Sequence, residues 1–522
     1  MHREIDGYVT EVPYNCAYYR EISPAFLRLA ANSRALPFPS PGRLRYLELG
    51  YGGGISLNVH AAASPGAYWG TDVNPVHVAD TARLAERSHS GLNVLSMTFQ
   101  ELLTFPDLPQ FDVIVALGVW SWVSASNRKA IVELLRKCLV DGGLFCLNSL
   151  ALPKNAGVIP LQLLLRLHTK IGTGTQSSPD ALQSGIRLAT TLRDAGSAYF
   201  DDAALSEVLE MVGQASPQNI IHEYMHEHWR PELLADTAAK LHEASLQFVG
   251  SMSPLDQYDD LNFPSNGLQT LSKIDDFWLR ETAKEFLRPR KIRCDLFVKS
   301  NAYVPGVKPA ALDRGLSFVL VVPLFHAKSM MAKTPAGEIA LNGPAFCEIL
   351  DLLGSRDYRP KTLGEMIDAL APKDFEERAI FRALMILVDA GIAHPAQATS
   401  AAPEKVEACR RLNDEFLRRS LTDDDIGVLA SPVTGGGVPV PRIQRLFLWA
   451  LRSGANSPTE WAAFVSRAMA TGEATPIAAV RGKAPLAIDL QKEALYFLTC
   501  LPVFAALMIL PNAPADRATT AG

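Results

Sequence analysis

The stretch LRYLELGYGGG at residues 44–54 constrains the fold of this chain more than any other segment. A short apolar run ends at Glu48, glycines follow, and a segment compatible with a helix covers residues 55–63. This order predicts a strand, a glycine-rich turn and the N-terminus of a helix. Glycines let the backbone approach a ligand closely, and the first turn of a helix offers unpaired N–H groups. The stretch therefore predicts a ligand-binding βα unit.

Two acidic residues indicate the kind of ligand. Asp72 follows Glu48 by 24 residues, after a strand-like run at 67–71, and an acid at that place can accept hydrogen bonds from two ribose hydroxyls. The loop reads E-x-G-x-G-G-G rather than G-x-G-x-x-G, so Glu48 precedes its first glycine and can bind the ammonium of an amino acid. A ligand with an ammonium at one end and a ribose at the other is S-adenosylmethionine, which these residues predict as the cofactor. The alternative is a glycine-rich βα turn in an α/β protein of another kind.

Strand-like and helical segments alternate after this unit. Further strands are predicted at 91–96, 111–117 and 144–148, a helix at 127–139 and a turn at 141–143. The loop 118–123 follows the second of these strands, at the edge where open α/β sheets place their chemistry. The alternation predicts an α/β, doubly wound fold.

At these residues the chain resembles the bacterial class I methyltransferases that carry a methyltransferase regulatory domain. The best-known members are protein-lysine methyltransferases of rickettsial type, which modify an outer-membrane protein. The resemblance covers about the first 300 residues of the chain. The motifs that carry it are VPY at 12–14, LELGYGG at 47–53, GTDVNP at 70–75, GVWSWV at 118–123, HEY at 222–224 with Trp229 and Pro231, LQFVGS at 246–251 and RCDLFV at 293–298.

The motifs and the resemblance together imply a set of site residues. S-adenosylmethionine would be bound by Tyr14, Glu48, Gly50, Gly52, Asp72, Gln100 and Leu117. Catalysis would involve His222, Trp122 and Asn148, and the substrate would meet Trp120 and Tyr224. His222 is the candidate to accept or relay the proton of the methyl acceptor, because imidazole titrates near neutral pH; a hydrogen-bonded structural role is the alternative. The family usually has Asp where Gln100 stands, and Gln can still accept from the adenine amino group.

The predicted fold is a Rossmann-like, seven-stranded methyltransferase core with a helical cap insertion, followed by a mainly helical C-terminal region. Strand-like runs at 247–252 and 293–299 are the right number to complete the sheet, so the core is expected to be split. The predicted domains are 1–153 and 225–303 for the core, 154–224 for the cap, 304–400 for a winged-helix-like regulatory module and 401–522 for a helical C-terminal domain. A helix is also predicted at 232–245, with Pro231 in its first turn.

The winged-helix prediction rests on helices at 344–353, 362–370 and 376–390 and a wing at 391–396. Winged helices usually read DNA, which needs a basic face. Acidic residues such as Glu365 and Asp389 offset the few basic residues here, and the whole chain has a net charge of −5. We therefore expect no nucleic-acid partner, and we expect this module to contact protein or to regulate the enzyme.

Histidine-containing motifs raise the question of a metal. HEYMH at 222–226 matches H-E-x-x-H, which on a helix can bind zinc. Pro231 soon interrupts such a helix, and the resemblance already explains its first three residues, so no metal is predicted. The isolated histidines are predicted to be solvated surface groups; they are His60, His77, His89 and His168.

The chain is predicted to be cytoplasmic and to lack a membrane span. Its N-terminus has no apolar segment typical of a signal peptide, and its seven cysteines are scattered without a Cys-x-x-Cys motif. The apolar run at 494–510 is shorter than the roughly 20 residues of a spanning helix, and Pro502 interrupts it. This run is predicted to be a buried helix or a helix at a partner interface.

Three function classes fit the sequence. The first is a methyltransferase that acts on a side-chain nitrogen of a protein or peptide, such as that of lysine, or on another large acceptor. The second is a methyltransferase for a small metabolite or natural-product intermediate. The third is a methyltransferase-like binding module with little turnover. The expected partner is a protein or peptide substrate, and a homodimer is compatible with the chain.

Overall fold

A seven-stranded mixed sheet lies at the centre of the fold. The computed structural model describes residues 17–40, 42–173, 179–215, 217–300, 311–355, 357–397, 402–475 and 489–510. The strands of the sheet are β1 Arg45–Leu49, β2 Ala67–Thr71, β3 Asn93–Leu95, β4 Phe111–Ala116, β5 Leu139–Leu150, β6 Leu246–Ser251 and β7 Ile292–Lys299. Their order is β3-β2-β1-β4-β5-β7-β6, with β7 antiparallel to both of its neighbours. The predicted Rossmann-like seven-stranded core is confirmed.

Helices cover both faces of this sheet. The helices in this part of the chain are α1 Pro24–Asn32, α2 Ile55–Ala63, α3 Pro75–Ser88, α4 Phe99–Thr104, α5 Ala125–Cys138, α6 Ile159–Thr173, α7 Pro179–Asp194, α8 Ala203–Gln214, α9 Pro217–Tyr224, α10 Leu234–His242, α11 Asp259–Asn262, α12 Ser265–Leu271 and α13 Phe277–Leu287. Tyr46 and Val113 pack with α1 and α2, whereas their neighbours Leu47 and Ile114 pack with α5 and α10. Successive side chains of a strand point to opposite faces, so the central strands are apolar on both.

The fifth strand is longer than predicted. β5 includes residues 141–143, which were expected to form a turn before it. The register between β4 and β5 shifts between Phe111 and Val113, and Gly142 has a φ of +77°. The glycines therefore form an irregularity within the strand, because glycine adopts positive φ without a steric penalty.

The helix predicted at 232–245 begins later, at the first residue of α10. Glu232 is extended instead and forms a parallel bridge with Ala151. Its N–H donates to the carbonyl of Leu150 at 3.0 Å, and its own carbonyl accepts from the N–H of Leu152 at 3.1 Å. A pairing between residues distant in the sequence thus displaces the start of the helix.

Helices α6 to α9 lie between β5 and α10 in the chain and share one apolar cluster. Leu182, Val212 and Ile221 are among its members, and Trp122 and Leu150 of the core belong to it as well. These helices fall within residues 154–224, the segment predicted to be a cap. The domain limits stay a prediction.

A second unit of helices and short strands follows residue 310. It contains β8 Ser317–Leu320, α14 Leu324–Ser329, β9 Met331–Thr334, β10 Gly337–Ala340, α15 Pro344–Gly354, β11 Lys361–Thr362, α16 Leu363–Leu370, α17 Glu377–Asp389 and β12 Ala393–Ala396. β11 and β12 both pair antiparallel with β8. Residues in the predicted wing thus form an edge strand of a three-stranded sheet, and the winged-helix assignment stays a prediction.

The last part of the chain covers α2. It contains α18 Pro403–Arg419, β13 Val428–Ser431, β14 Gly436–Pro439, α19 Arg442–Arg452, α20 Pro458–Thr471 and α21 Leu490–Ala506. The side chains of Lys405, Cys409 and Gln397 donate to the carbonyl oxygens of residues 61, 62 and 63 at 2.7, 3.6 and 3.0 Å respectively. The last carbonyls of a helix have no partner within the helix, so this region supplies their partners. Every residue of α2 is buried.

Two of the four histidines predicted to be at the surface are buried, so for these the prediction is wrong. His60 is 0% exposed and lies between the rings of Tyr18 and Tyr46, and burial lowers its pKa to about 3. His77 is also buried, with Nδ1 3.4 Å from Oδ1 of Asp72. The reason in the case of His60 is that aromatic side chains distant in the sequence, those of Tyr18 and Tyr46, pack against its ring.

The apolar run near the C-terminus lies mostly in α21. Phe497 and Phe504 of this helix are buried in a cluster with residues of α19 and α20. Within the described ranges, no helix is both long and apolar enough to cross a membrane.

Candidate active site

A cavity of about 290 Å³ opens at the carboxyl ends of β1, β2 and β4. In a parallel α/β sheet this edge is where ligands bind. Its lining consists of Gly50, Thr71, Asp72, Val73, Met97, Thr98, Phe99, Gln100, Gly118, Val119, Trp122, Val123, Ser126 and Asn127. The structure thus brings Gly50, Asp72, Gln100 and Trp122, all predicted site residues, around one space.

Glu48 lies at the end of β1, two residues before Gly50, and it is only 4% exposed. Its Oε2 has no hydrogen-bond partner among the residues that the structure describes. Burial, with a smaller effect from the nearby Asp72, raises the pKa of its carboxyl to about 8. A buried carboxylate is costly without a partner, so this oxygen fits a cationic group of a ligand.

Asp72 stands directly after β2 and is held by the glycine-rich turn. Its Oδ2 accepts from the N–H of Gly52 at 3.0 Å, and its Oδ1 accepts from the N–H of Asn74 at 2.8 Å. Each carboxylate oxygen has a second lone-pair direction; that of Oδ2 can still accept from a ligand hydroxyl, whereas Oδ1 also lies 3.4 Å from Nδ1 of His77. These contacts fix the carboxylate at the wall of the cavity.

The glycine-rich turn lies close to the loop after β4. Gly50 has a φ of +66°, and a Cβ at this position would lie 2.7 Å from Cγ2 of Val119. At the other end of the turn, Gly54 has a φ of +65°, and a Cβ there would lie 2.1 Å from Oγ1 of Thr81. Side chains at either position would push the turn away from its neighbours, so the narrow cavity requires these glycines.

The far wall of the cavity comes from α4 and the start of α5. Nε2 of Gln100 donates to Oδ1 of Asn127 at 2.9 Å. No motif in the sequence marked Asn127 or its neighbour Ser126 as lining residues. The indirect signal is Ser124, whose side chain accepts from the N–H of Asn127 and so caps α5 at the cavity.

The loop 118–123 is anchored from several directions. Oδ1 of Asn148 accepts from the N–H of Gly118 at 2.5 Å, and Arg128 donates to the carbonyls of Trp120 and Val123 at 3.1 and 2.8 Å. Trp120 itself is 1% exposed and packs in the core, and its indole N–H donates to Oε2 of Glu232 at 3.4 Å. The structure therefore places Trp120 behind the loop and outside the lining of the cavity.

Trp122 connects the cavity to a second group of predicted residues. Its indole N–H donates to the carbonyl of Glu223 at 3.3 Å. The Glu223 carboxylate accepts from Nζ of Lys291 at 3.2 Å, and the same Nζ lies 5.1 Å from the ring centroid of Tyr224. An alkylammonium is thus held between a carboxylate and an aromatic ring beside the cavity.

The other predicted residues are placed as follows. His222 is 4% exposed, and its ring centroid is 6.1 Å from that of His226. Leu117 follows β4 directly and is partly buried against the core. Tyr14 lies outside the described residues.

The H-E-x-x-H segment does not form one helical face. α9 ends at Tyr224, so His226 lies beyond the helix, and the planes of the two imidazole rings are inclined by 46° to each other. In the described part of the chain, no three His, Cys, Asp or Glu residues are grouped so that they could hold a metal ion.

Replacing Asn148 with Ala should lower the free energy of unfolding by about 1–3 kcal/mol, because the partly buried Gly118 N–H would lose its acceptor. The methyl transfer that the sequence predicts should fall more than cofactor affinity, since the loop 118–123 would no longer be fixed. Urea unfolding, calorimetry and a turnover assay measure the three quantities. Asn148→Asp keeps an acceptor oxygen at this place and is the matched control. Equal effects of the two substitutions would contradict the role of Asn148 as the acceptor that fixes Gly118 and its loop.

Comparisons with known proteins agree with this geometry. Residues 47–145 match a family model described as a methyltransferase domain, and residues 216–299 match one described as a predicted methyltransferase regulatory domain. The Synechocystis sp. protein named "Uncharacterized protein sll1526" is 30% identical over 450 residues, which are 85% of this chain and 87% of that protein. The Rickettsia prowazekii protein named "Uncharacterized protein RP789" is 22% identical over 300 residues, 56% of this chain and 52% of that one.

Among solved structures, PKMT2 from Rickettsia typhi in complex with AdoHcy has the same overall fold. Its TM-score is 0.68 at 17% identity, over 95% of this chain and 100% of that chain. The fold, the two family models and the long match to the Synechocystis protein agree with one another. The chain belongs to the S-adenosylmethionine-dependent methyltransferases that carry a methyltransferase regulatory domain.

Proposed function

We propose that this methyltransferase acts on a lysine-like side-chain nitrogen of a protein or peptide. The observation that carries the proposal is the position of the Lys291 ammonium, between the Glu223 carboxylate and the Tyr224 ring. An acceptor lysine that displaces Lys291 would meet the same two groups. The rickettsial protein of the same fold is named PKMT2, and the resemblance of the motifs to protein-lysine methyltransferases supports the same class of acceptor.

The cofactor contributes a methyl group on a sulfonium, which an acceptor nitrogen can attack in line. We propose that Glu48 accepts the ammonium of the cofactor, since its buried Oε2 lacks a partner in the described residues. Asp72 is proposed to accept from the ribose hydroxyls, and Gln100 from the adenine amino group. Gly50 and Gly52 would allow the close approach of the ligand to the turn, with Leu117 and Tyr14 as further cofactor contacts.

On the acceptor side, an ammonium must lose a proton before its nitrogen can attack. We assign this step to His222, which is near Tyr224 in the chain and is buried. Trp122 is proposed to hold the acceptor, because it lines the cofactor cavity and contacts the backbone of Glu223. Asn148 acts through Gly118 by positioning the loop that carries Trp122.

The acceptor class is tested by transfer of a tritiated methyl group from S-adenosylmethionine into a lysate that is then separated into protein and small-molecule fractions. We expect label in protein, released as methylated lysine after hydrolysis. Label only in small molecules would refute the protein acceptor and favour a metabolite. Absence of label in both fractions, with normal cofactor binding, would favour a binding module.

The acceptor subsite is tested separately with Glu223→Gln. Loss of a charge-assisted contact worth about 1.5–3 kcal/mol should raise KM for the acceptor about tenfold or more, with cofactor affinity unchanged. Glu227→Gln is the control, because this glutamate lies four residues further on and is exposed. An unchanged KM in Glu223→Gln would argue against this subsite.

A further inference from the structure

A second, larger cavity lies at the edge strand β6. Its volume is about 790 Å³, and its lining shares no residue with that of the cofactor cavity. The walls come from the residues that follow α1, from β6, from residues 256–290 between β6 and β7, from Arg293 of β7, and from α17. The cavity therefore lies between the catalytic core and the unit that follows residue 310.

The lining of this cavity carries an excess of positive charge. Its cations are Arg34, Arg280, Lys284, Arg288, Arg290, Arg293, Arg378 and Arg382. Its acids are Asp256, Asp259, Asp260 and Glu281. Glu285 and Asp295, which bind Arg290 and Arg293 from behind the wall, add two further negative charges. Eight cations against six acids leave a net positive charge, which attracts an anionic ligand.

Three of the guanidinium groups line the cavity together with one phenol, that of Tyr258. Arg382 lies over the ring of Tyr258 at 5.1 Å from its centroid and also binds Asp260. Burial raises the pKa of Tyr258 to about 12, Asp260 acts in the same direction and Arg382, Arg34 and Arg378 act in the opposite one; all three guanidinium groups line the cavity together with Tyr258. Arg34 comes from the core and donates to the carbonyl of Ser251 at 2.7 Å. The cations thus converge from both sides of the cavity.

Arg280 differs from the cations that form ion pairs across this wall. Its side chain has no carboxylate partner among the described residues, although it lines the cavity on α13. Lys284, one turn further along the same helix, binds Asp259 and Glu281 at 3.0 and 2.9 Å. Arg280 is therefore available to an anion that enters the cavity, because no internal pair has to break first.

Aromatic side chains complete the lining. They are Phe248, Tyr258, Phe263, Phe277 and Phe381. Guanidinium groups bind phosphate and carboxylate oxygens through paired N–H donors, and aromatic rings stack on planar organic groups. The volume is in the range of pockets that hold small organic ligands.

We propose that this cavity is a binding site for a small organic anion that combines phosphate groups with a planar ring, as a nucleotide does. The guanidinium groups of Arg280, Arg34 and Arg378 bind the phosphates. The aromatic rings of the lining receive the planar group. The site is separate from the cofactor site and does not depend on which acceptor is methylated.

The test is calorimetry on the full chain, with saturating AdoHcy so that the cofactor cavity is filled, in 150 mM salt at about the physiological level. The probes are inorganic pyrophosphate and ADP. We expect one equivalent of each to bind, with ADP binding more tightly because it adds the ring. Absence of binding by both probes, or ADP binding no more tightly than pyrophosphate, would overturn the proposal.

Charge-neutralising variants locate the binding. Arg280→Gln and Arg378→Gln should each weaken ADP binding about tenfold, the effect of losing a charged contact of about 1.4 kcal/mol. Arg187→Gln removes the same charge from an exposed position on α7 and should change nothing. Arg280→Gln breaks no ion pair of the described residues, so its fold and AdoHcy affinity should be preserved. Equal ADP affinity in Arg280→Gln and Arg187→Gln would overturn the assignment.

Discussion

Replacing Glu48 with Gln should raise the free energy of unfolding at pH 8 by about 2–4 kcal/mol. The pKa of this carboxyl is about 8 in the folded protein and is near its ordinary value of 4.5 when the chain is unfolded. Between these two values the unfolded chain has lost the proton and the folded protein has kept it. Stability is therefore lost as pH rises from about 4.5 to about 8, and Gln, which cannot ionise, avoids this loss.

Urea unfolding without cofactor at pH 5 and pH 8 measures the effect. At pH 5 the difference between Glu48→Gln and the wild type should fall below about 1 kcal/mol, since little of the linkage has developed there. Glu86→Gln, at an exposed position of α3, is the control and should show no pH-dependent gain. A stabilisation that is equal at both pH values would mean that the burial of a titrating carboxyl is not its cause.

The same substitution should weaken S-adenosylmethionine binding, about tenfold or more, because a neutral amide cannot offer a charge to the ammonium. The proposal for Glu48 thus predicts that one variant, Glu48→Gln, has a higher free energy of unfolding and a lower affinity for the cofactor. Unchanged cofactor affinity in Glu48→Gln would refute the role of this carboxylate, even if the protein became more stable.

Asp72→Ala should weaken S-adenosylmethionine binding at least about a hundredfold. Two hydrogen bonds from ribose hydroxyls to a charged acceptor are each worth about 1.5–3 kcal/mol. The substitution also frees the N–H groups of Gly52 and Asn74, which Asp72 now holds. Calorimetry measures the loss, and circular dichroism verifies that the fold is intact.

The matched control for this substitution is Asp80→Ala. Asp80 is on α3, pairs with Arg83 one turn further on, and has a side chain that is 53% exposed, so removing its charge should leave cofactor affinity unchanged. Asp72→Asn keeps one acceptor oxygen and should fall between the wild type and Asp72→Ala. If Asp72→Ala binds the cofactor as tightly as Asp80→Ala does, the ribose assignment is wrong.

Strands, turns and helices that depend on residues close together in the sequence were predictable. The strand, glycine-rich turn and helix around Glu48 follow from apolar runs and from glycines that adopt positive φ, both of which are visible locally. The seven-stranded core followed from the count of such units. Gly50 and Asp72 then line one cavity because carboxyl ends of parallel strands meet at the same edge of the sheet.

Contacts that join distant parts of the chain were not predictable. Glu232 was expected in a helix, but its backbone pairs with residues 150–152. Asn127 could not be linked to Gln100 from the sequence, because the two side chains meet across 27 positions of the chain. Trp120 was expected to face the substrate, yet the structure places it in the core, where its indole reaches Glu232. Periodicity and spacing carry no information on such pairs.

The capped end of α2 couples cofactor binding at the glycine-rich turn to the docking of the C-terminal region on this helix. The first residues of α2 adjoin the glycine-rich turn, whereas the carbonyls at its other end are held by Lys405, Cys409 and Gln397. A rigid helix of nine residues thus joins two places that are far apart in the sequence. If cofactor binding strengthens the docking of α18 on α2 by a given factor, a partner that holds α18 in place must raise the affinity for the cofactor by the same factor. The reason is that binding free energies couple equally in both directions.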